Sequence, residues 1–140
     1  MKALIAFSVL IIFNLAWACP NFSGHYTGTQ NGERIDLTIV QQDCLTAQTT
    51  TVTPQETTNM TVITDGQFRV IKEEQGMQII QAYSWQGNIL TFIMNGLYQG
   101  QNFMTANGQI SLDNQNNLVE VMTSTTPQGT QSQTITYVRN

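Results

Sequence analysis

An alternating segment that follows an Asn-Gly pair limits the fold of this chain more than any other feature. Within residues 33–42, the apolar Ile35, Leu37 and Ile39 alternate with polar residues and therefore share one face of a strand. Asn31-Gly32, directly before the segment, is the strongest signal for a two-residue hairpin turn. The pattern predicts antiparallel sheet with one buried face and one solvated face.

Similar short segments with turn residues between them continue through the chain, and Asn107-Gly108 is interpreted as a second Asn-Gly hairpin. The spacing is regular, and no helical period occurs after residue 18. About eight to ten strands are expected, which suits an up-and-down barrel or a sandwich. We predict an all-β fold, a single antiparallel up-and-down β-barrel, because a barrel removes exposed edge strands. The segments with a strand pattern, from which these eight to ten strands are expected, are 22–30, 33–42, 45–53, 60–64, 68–72, 77–85, 89–97, 102–106, 109–112, 118–124 and 133–139.

The first eighteen residues differ from the rest of the chain. Lys2 is followed by an apolar run and then by Ala16-Trp17-Ala18, which has the order of a secretory signal peptide cleaved after Ala18. The run is shorter than the roughly 20 apolar residues that a membrane-spanning helix needs. We therefore expect a signal peptide at 1–18, a single β-barrel domain at 19–140, a secreted or periplasmic location, and no integral membrane span.

Neutral polar residues dominate the predicted domain. After Ala18 the sequence contains 20 threonines, 17 glutamines and 11 asparagines, while only 10% of the whole chain is charged and its net charge is −4. Threonine favours strands because its β-branched side chain fits a pleated surface. The acidic balance argues against a surface that binds nucleic acid phosphates.

Two cysteines, Cys19 and Cys44, remain after the predicted cleavage. An even number of cysteines in an exported chain indicates a disulfide, which would stabilise the N-terminal part of the fold by about 3 kcal/mol. The alternative is a membrane-anchored lipoprotein, with Cys19 as its lipid-bearing first residue. The residues before Cys19 are a poor match to the usual lipoprotein signal, because Ala16 and Trp17 occupy the places of a leucine and a small residue.

The sequence offers no set of residues that can be assigned the parts of a catalytic mechanism. His25 is the only histidine, and no nucleophile turn accompanies it. The chain also lacks a phosphate-binding glycine motif and enough ligands for a zinc site once the cysteines are paired. We therefore predict a protein that is not an enzyme, with no catalytic residues, no bound metal and no cofactor.

One apolar cluster suggests a binding function. Tyr83 and Trp85 share a face of one strand, Phe92 and Met94 follow after a turn, and Phe103 comes next. Such side chains could line a barrel pocket for a small hydrophobic molecule, with methionine giving the pocket adaptability. The competing interpretation is that these residues only fill the core of a small barrel.

A second candidate function uses the surface of the protein. The Thr- and Gln-rich segments 46–58 and 123–134 are interpreted as long hairpin ends rich in hydrogen-bonding groups. They could serve as the contact surface of a protein-interaction module, such as a hydrolase inhibitor or an adhesive surface protein. Its partner would be another secreted or surface protein.

The start and the end of the domain resemble those of calycin barrels, the superfamily that contains lipocalins and avidins. Gly24-His25-Tyr26 opens the first strand where that superfamily has a Gly-x-Trp motif, although Tyr replaces Trp here. In calycins an arginine late in the last strand often packs over the aromatic ring of the motif. The resemblance implies a barrel that binds small ligands, and it implies that Arg139 packs on Tyr26 in a cation–π contact.

Overall fold

The computed structural model describes residues 18–140 and shows ten β-strands in that part of the chain. It shows no helix there, and none that could cross a membrane. The predicted signal peptide therefore lies outside the described residues, apart from Ala18. The strands are β1 (Gly24–Gln30), β2 (Glu33–Gln41), β3 (Thr46–Val52), β4 (Thr57–Ile63), β5 (Arg69–Glu74), β6 (Met77–Gln86), β7 (Ile89–Tyr98), β8 (Gln101–Leu112), β9 (Leu118–Thr126) and β10 (Gly129–Arg139).

Every strand pairs antiparallel with its neighbours in the chain, except that β4 and β5 are not paired with each other. The first strand, β1, pairs with the last strand, β10. In this pairing Tyr26 lies opposite Arg139 and Thr27 opposite Val138. The resulting order is β4-β3-β2-β1-β10-β9-β8-β7-β6-β5. The predicted up-and-down barrel is confirmed, and the gap between β4 and β5 leaves it nearly closed.

The buried face follows the alternation seen in the sequence. Ile35 and Ile39 of β2 are buried in one cluster with Tyr26 of β1, Leu118 of β9 and Tyr137 of β10. These side chains come from neighbouring strands in the sheet order and meet inside the barrel. Because strand side chains alternate between two faces, the polar residues between them point outward.

Asn107-Gly108 does not form the predicted hairpin, and that prediction was wrong. Both residues lie inside the continuous strand β8, with Asn107 opposite Ile93 and Gly108 opposite Phe92. The chain turns earlier, at Gln99-Gly100, where both residues have positive φ angles of 49° and 79°. Positive φ at both positions is the conformation of a tight hairpin turn. Gly108 does not form a turn; its lack of a side chain allows close packing against the neighbouring strand.

The two Thr- and Gln-rich segments are also organised differently from the prediction. Segment 46–58 consists of β3, a four-residue turn and the start of β4. Segment 123–134 consists of the paired ends of β9 and β10 with only Pro127-Gln128 between them. Both segments are hairpins, as predicted, but their loops are short, because threonine on both strands continues the ladder towards the tip.

Candidate ligand-binding cavity

The barrel encloses a cavity of about 290 Å³. This volume lies near the lower end of the roughly 300–1,000 Å³ range of small-molecule pockets. Inward-facing residues of β2, β3, β4, β6, β7, β8, β9 and β10 form its wall, and most of them are apolar. The core is therefore not completely filled by its own side chains.

Aromatic rings form a large part of the wall. The centroids of the Tyr83 and Phe92 rings are 5.9 Å apart, and those of Phe22 and Trp85 are 5.2 Å apart. Both pairs are tilted, a common arrangement for aromatic side chains. Met94, one position further along the inner face of β7, adds a flexible thioether to the same wall.

Two glycines make room for rings of the cavity wall. A Cβ atom at Gly28 would lie 2.6 Å from Cδ1 of Tyr137, and a Cβ atom at Gly108 would overlap the ring of Phe92. Each ring packs across the sheet onto the backbone of the neighbouring strand, β1 for Tyr137 and β8 for Phe92. The glycines thus set how closely these rings lie against the wall.

A small polar group interrupts the apolar lining. Glu120 of β9 faces the cavity, and the Tyr137 hydroxyl donates a hydrogen bond of 3.3 Å to its Oε2 atom. Tyr83 and Gln81 of β6 also line the cavity, and Gln81 is only 8% exposed. No buried side-chain nitrogen or oxygen among residues 18–140 lacks a hydrogen-bond partner. The polar group is therefore satisfied within the wall.

Burial changes the acidity of these groups. Desolvation raises the pKa of Glu120, and the hydrogen bond from Tyr137 offsets part of that rise. Desolvation also raises the pKa of Tyr83 and of Tyr137 far above the ordinary value, and the negative charge of Glu120 adds to both increases. Burial therefore shifts the titration of each of these three groups to a higher pH than in water.

The disulfide lies where the cavity wall reaches the surface. Cys19 and Cys44 are bonded, with Cα atoms 5.6 Å apart, so the predicted disulfide is present. Both cysteines are exposed or partly exposed, and Cys44 and its neighbour Asp43 also line the cavity. The disulfide occupies the Cys19 sulfur that attachment of a lipid would require.

The same region joins the two ends of the open sheet. Trp85 Nε1 of β6 donates a 2.7 Å hydrogen bond to the Cys44 carbonyl, in the loop between β2 and β3. The 2.9 Å hydrogen bond from Thr64 N to the Leu45 carbonyl continues the pairing of β3 with β4. Gly66 N donates a 2.8 Å hydrogen bond to the Tyr83 carbonyl. Single hydrogen bonds from loops therefore close this end, where a strand ladder between β4 and β5 is absent.

The structure brings together four of the five residues expected to bind a ligand. Tyr83, Trp85, Phe92 and Met94 line the cavity. Phe103 is not among the lining residues, and its ring packs over Gly96. The register of β7 and β8 shifts between Gly96 and Leu97, so Phe103 falls at the irregularity and leaves the alternation of the strand.

The sequence analysis missed the polar group of the cavity. Glu120 lies between Leu118 and Met122, which share its face of β9, and Tyr137 shares the inner face of β10 with Ile135. The apolar neighbours at two-residue spacing were the available signal that Glu120 points inward.

Tyr26 and Arg139 are in the arrangement that the calycin resemblance implied. The guanidinium carbon of Arg139 lies 5.6 Å from the centroid of the Tyr26 ring, and Arg139 Nη2 donates a hydrogen bond to the Ser23 carbonyl. The Tyr26 hydroxyl donates a 2.8 Å hydrogen bond to the Phe22 carbonyl. These contacts tie the segment before β1 to the last strand.

The fold is shared with a solved structure. The zebrafish ileal bile acid-binding protein in complex with cholic acid matches this chain with a TM-score of 0.61 and 16% sequence identity. The match covers 85% of this chain and 98% of the zebrafish chain. At this level of identity the match shows a shared β-barrel fold and no particular family. No protein-family model and no curated protein sequence matches the chain.

Proposed function

We propose that this protein is an exported, non-enzymatic barrel that binds a small apolar ligand in its interior. The observation that carries the proposal is the cavity of about 290 Å³ with its largely apolar and aromatic wall. A barrel that served only as a scaffold would gain stability by filling that space, because empty apolar volume forfeits packing contacts. Similarity of fold to a protein solved with a bile acid agrees with this proposal.

Tyr83, Trp85, Phe92 and Met94 are the proposed contacts for the apolar part of the ligand. Their rings and thioether bury apolar ligand surface at roughly 25 cal/mol per Å². Phe103 is left out of the proposal because its ring packs over Gly96 and is not part of the cavity lining. The export expected from residues 1–18 and the exposed disulfide agree with a role outside the cytosol.

Trp85 provides a direct test. If residues 1–18 are removed as expected, Trp85 is the only tryptophan left in the chain, and it lines the cavity. Titration with the neutral apolar fluorophore N-phenyl-1-naphthylamine should raise the fluorophore's emission, with energy transfer from Trp85. A saturable response at one site per chain supports the proposal.

A pair of variants on one strand makes the test specific to the interior. Thr49 of β3 lines the cavity, whereas Gln48 beside it is exposed. Thr49→Phe should place a ring in the cavity and remove fluorophore binding, while Gln48→Phe should leave it unchanged. Equal binding by both variants, with both folded by circular dichroism, would place the fluorophore on the surface and reject the proposal.

A further inference from the structure

Glu120 is the one carboxyl group deep in the cavity wall among the described residues. The other acidic lining residue, Asp43, is exposed, and its Oδ1 accepts hydrogen bonds from the backbone of Leu45 and Thr46. Glu120 instead lies between apolar neighbours, and the only side-chain hydrogen bond shown for it comes from Tyr137. A negative charge at this position would therefore face the interior.

No lysine, arginine or histidine lines the cavity in residues 18–140. The basic side chains have partners elsewhere. Arg34 pairs with Asp36, Arg69 with Asp65, and Lys72 with Glu74. Arg139 contacts Tyr26 and the Ser23 carbonyl.

This distribution of charge affects which charged group on a ligand the cavity favours. A carboxylate ligand would find no cation in the barrel and would meet the carboxyl group of Glu120. An ammonium group would supply the opposite charge that the interior lacks. Buried charges in proteins are stable only when they are paired and hydrogen-bonded.

We propose, building on the ligand-binding function above, that the barrel selects an apolar ligand with a cationic amine over one with a carboxylate, and that Glu120 is the counter-ion. The aromatic wall adds to this preference, because the faces of Tyr83, Phe92 and Trp85 attract cations. The ligand is small, since a cavity of about 290 Å³ lies near the lower end of the roughly 300–1,000 Å³ range of small-molecule pockets.

A set of three probes with one alkyl chain and different head groups tests the proposal. Octylamine, octanol and octanoate are titrated at neutral pH by calorimetry and by Trp85 fluorescence. We expect octylamine to bind more tightly than octanol, and octanoate to bind most weakly. Since hydrogen bonds to a charged group contribute about 1.5–3 kcal/mol, the Glu120→Gln variant should bind octylamine roughly 10- to 100-fold more weakly.

Glu73→Gln is the matched control. Glu73 is an exposed residue of β5, so this variant makes the same change in net charge away from the cavity. The net charge of the whole chain is −4, and general attraction of amines to an acidic protein would fall equally in both variants. An amine preference lost in Glu120→Gln and kept in Glu73→Gln assigns the counter-ion to Glu120.

The remaining outcomes contradict the proposal in distinguishable ways. Octanoate binding as tightly as octylamine to the wild-type protein overturns the charge preference, and this comparison stands even if Glu120→Gln does not fold. An amine preference that persists in folded Glu120→Gln overturns the role of Glu120. In both cases bound octanol leaves the ligand-binding function intact, whereas no binding by any of the three probes rejects that function as well.

Discussion

The ring of Phe92 on β7 lies directly against the backbone of Gly108 on β8, and a Cβ atom at Gly108 would overlap that ring. Phe92 is 4% exposed and lines the cavity. Little space is therefore available on the solvent side of its ring. The contact explains why a glycine occurs in the middle of a long strand, where it weakens the sheet by itself.

Replacement of Gly108 by alanine should destabilise the protein through overpacking. The added methyl group must displace Phe92 or the strand, which typically costs about 1–3 kcal/mol. Unfolding in urea, followed by Trp85 fluorescence, measures the change. Asn107→Ala on the exposed side of the same strand is the control and should stay within about 0.5 kcal/mol of the wild type. Equal stability of Gly108→Ala and the wild type would contradict the packing described for Phe92.

Removal of the disulfide should lower stability without changing the fold. Cys19 and Cys44 are 25 residues apart, and closing a loop of that size stabilises a protein by about 3 kcal/mol in the chain-entropy model. The Cys19→Ser, Cys44→Ser double variant should therefore unfold at a lower urea concentration. Treatment with dithiothreitol should shift the wild type towards the double variant and leave the variant itself unaffected. A double variant as stable as the wild type would show that the bond adds no constraint.

Arg139→Ala should destabilise the closure between β1 and β10. The substitution removes both the cation–π contact with Tyr26 and the hydrogen bond to the Ser23 carbonyl. We expect a loss of about 1–2 kcal/mol, which thermal unfolding should detect. Arg34→Ala, which removes an exposed ion pair with Asp36, should lower the melting temperature much less, because solvent screens the pair. If the two variants have equal melting temperatures, the Arg139 contacts do not stabilise the closure.

Glu120→Gln should change how stability depends on pH. Because burial raises the pKa of Glu120, the folded chain keeps this proton to a higher pH than the unfolded chain does. The contribution of Glu120 to stability is therefore fully present below the ordinary carboxyl pKa and is lost as the pH rises through the raised value. Urea unfolding between about pH 4 and pH 8 should show the wild type losing stability relative to Glu120→Gln.

Asp65 provides a control of opposite sign. Hydrogen bonds from the Arg69 guanidinium hold the pKa of Asp65 below its usual range, so its contribution is present above the ordinary carboxyl pKa and lost as the pH falls. Asp65→Asn should therefore converge with the wild type at acid pH. A stability difference between wild type and Glu120→Gln that does not vary with pH would contradict the burial of Glu120.

The local pattern of the sequence predicted a large part of the fold. Asn31-Gly32 is a hairpin turn with positive φ at both residues, and Ile35, Leu37 and Ile39 do share the inner face of β2. Alternation also placed Tyr83 and Trp85 together on the inner face of β6. These predictions hold because side chains on a strand alternate between its two faces, and this alternation is visible in the order of the residues.

Other features depended on contacts between residues far apart in the chain. The same Asn-Gly pair is a turn at 31–32 and part of a strand at 107–108, because at Gly108 the ring of Phe92 from β7 occupies the position of a side chain. Phe103 is the unpaired residue at the shift in register between β7 and β8, and its ring packs over Gly96. The sequence pattern alone does not show which residues of β7 and β8 lie opposite each other.

The all-β class and the alternating faces of the strands could be predicted from the sequence, because turn residues and a two-residue period are local properties of the chain. The cavity became visible only in the folded barrel, where Glu120, Tyr137 and Tyr83 face it and no lysine, arginine or histidine of residues 18–140 is in its lining. The size of a barrel interior follows from how ten strands pair and how closely their rings approach the opposite backbone. Those distances are set across the barrel between residues that are remote in sequence.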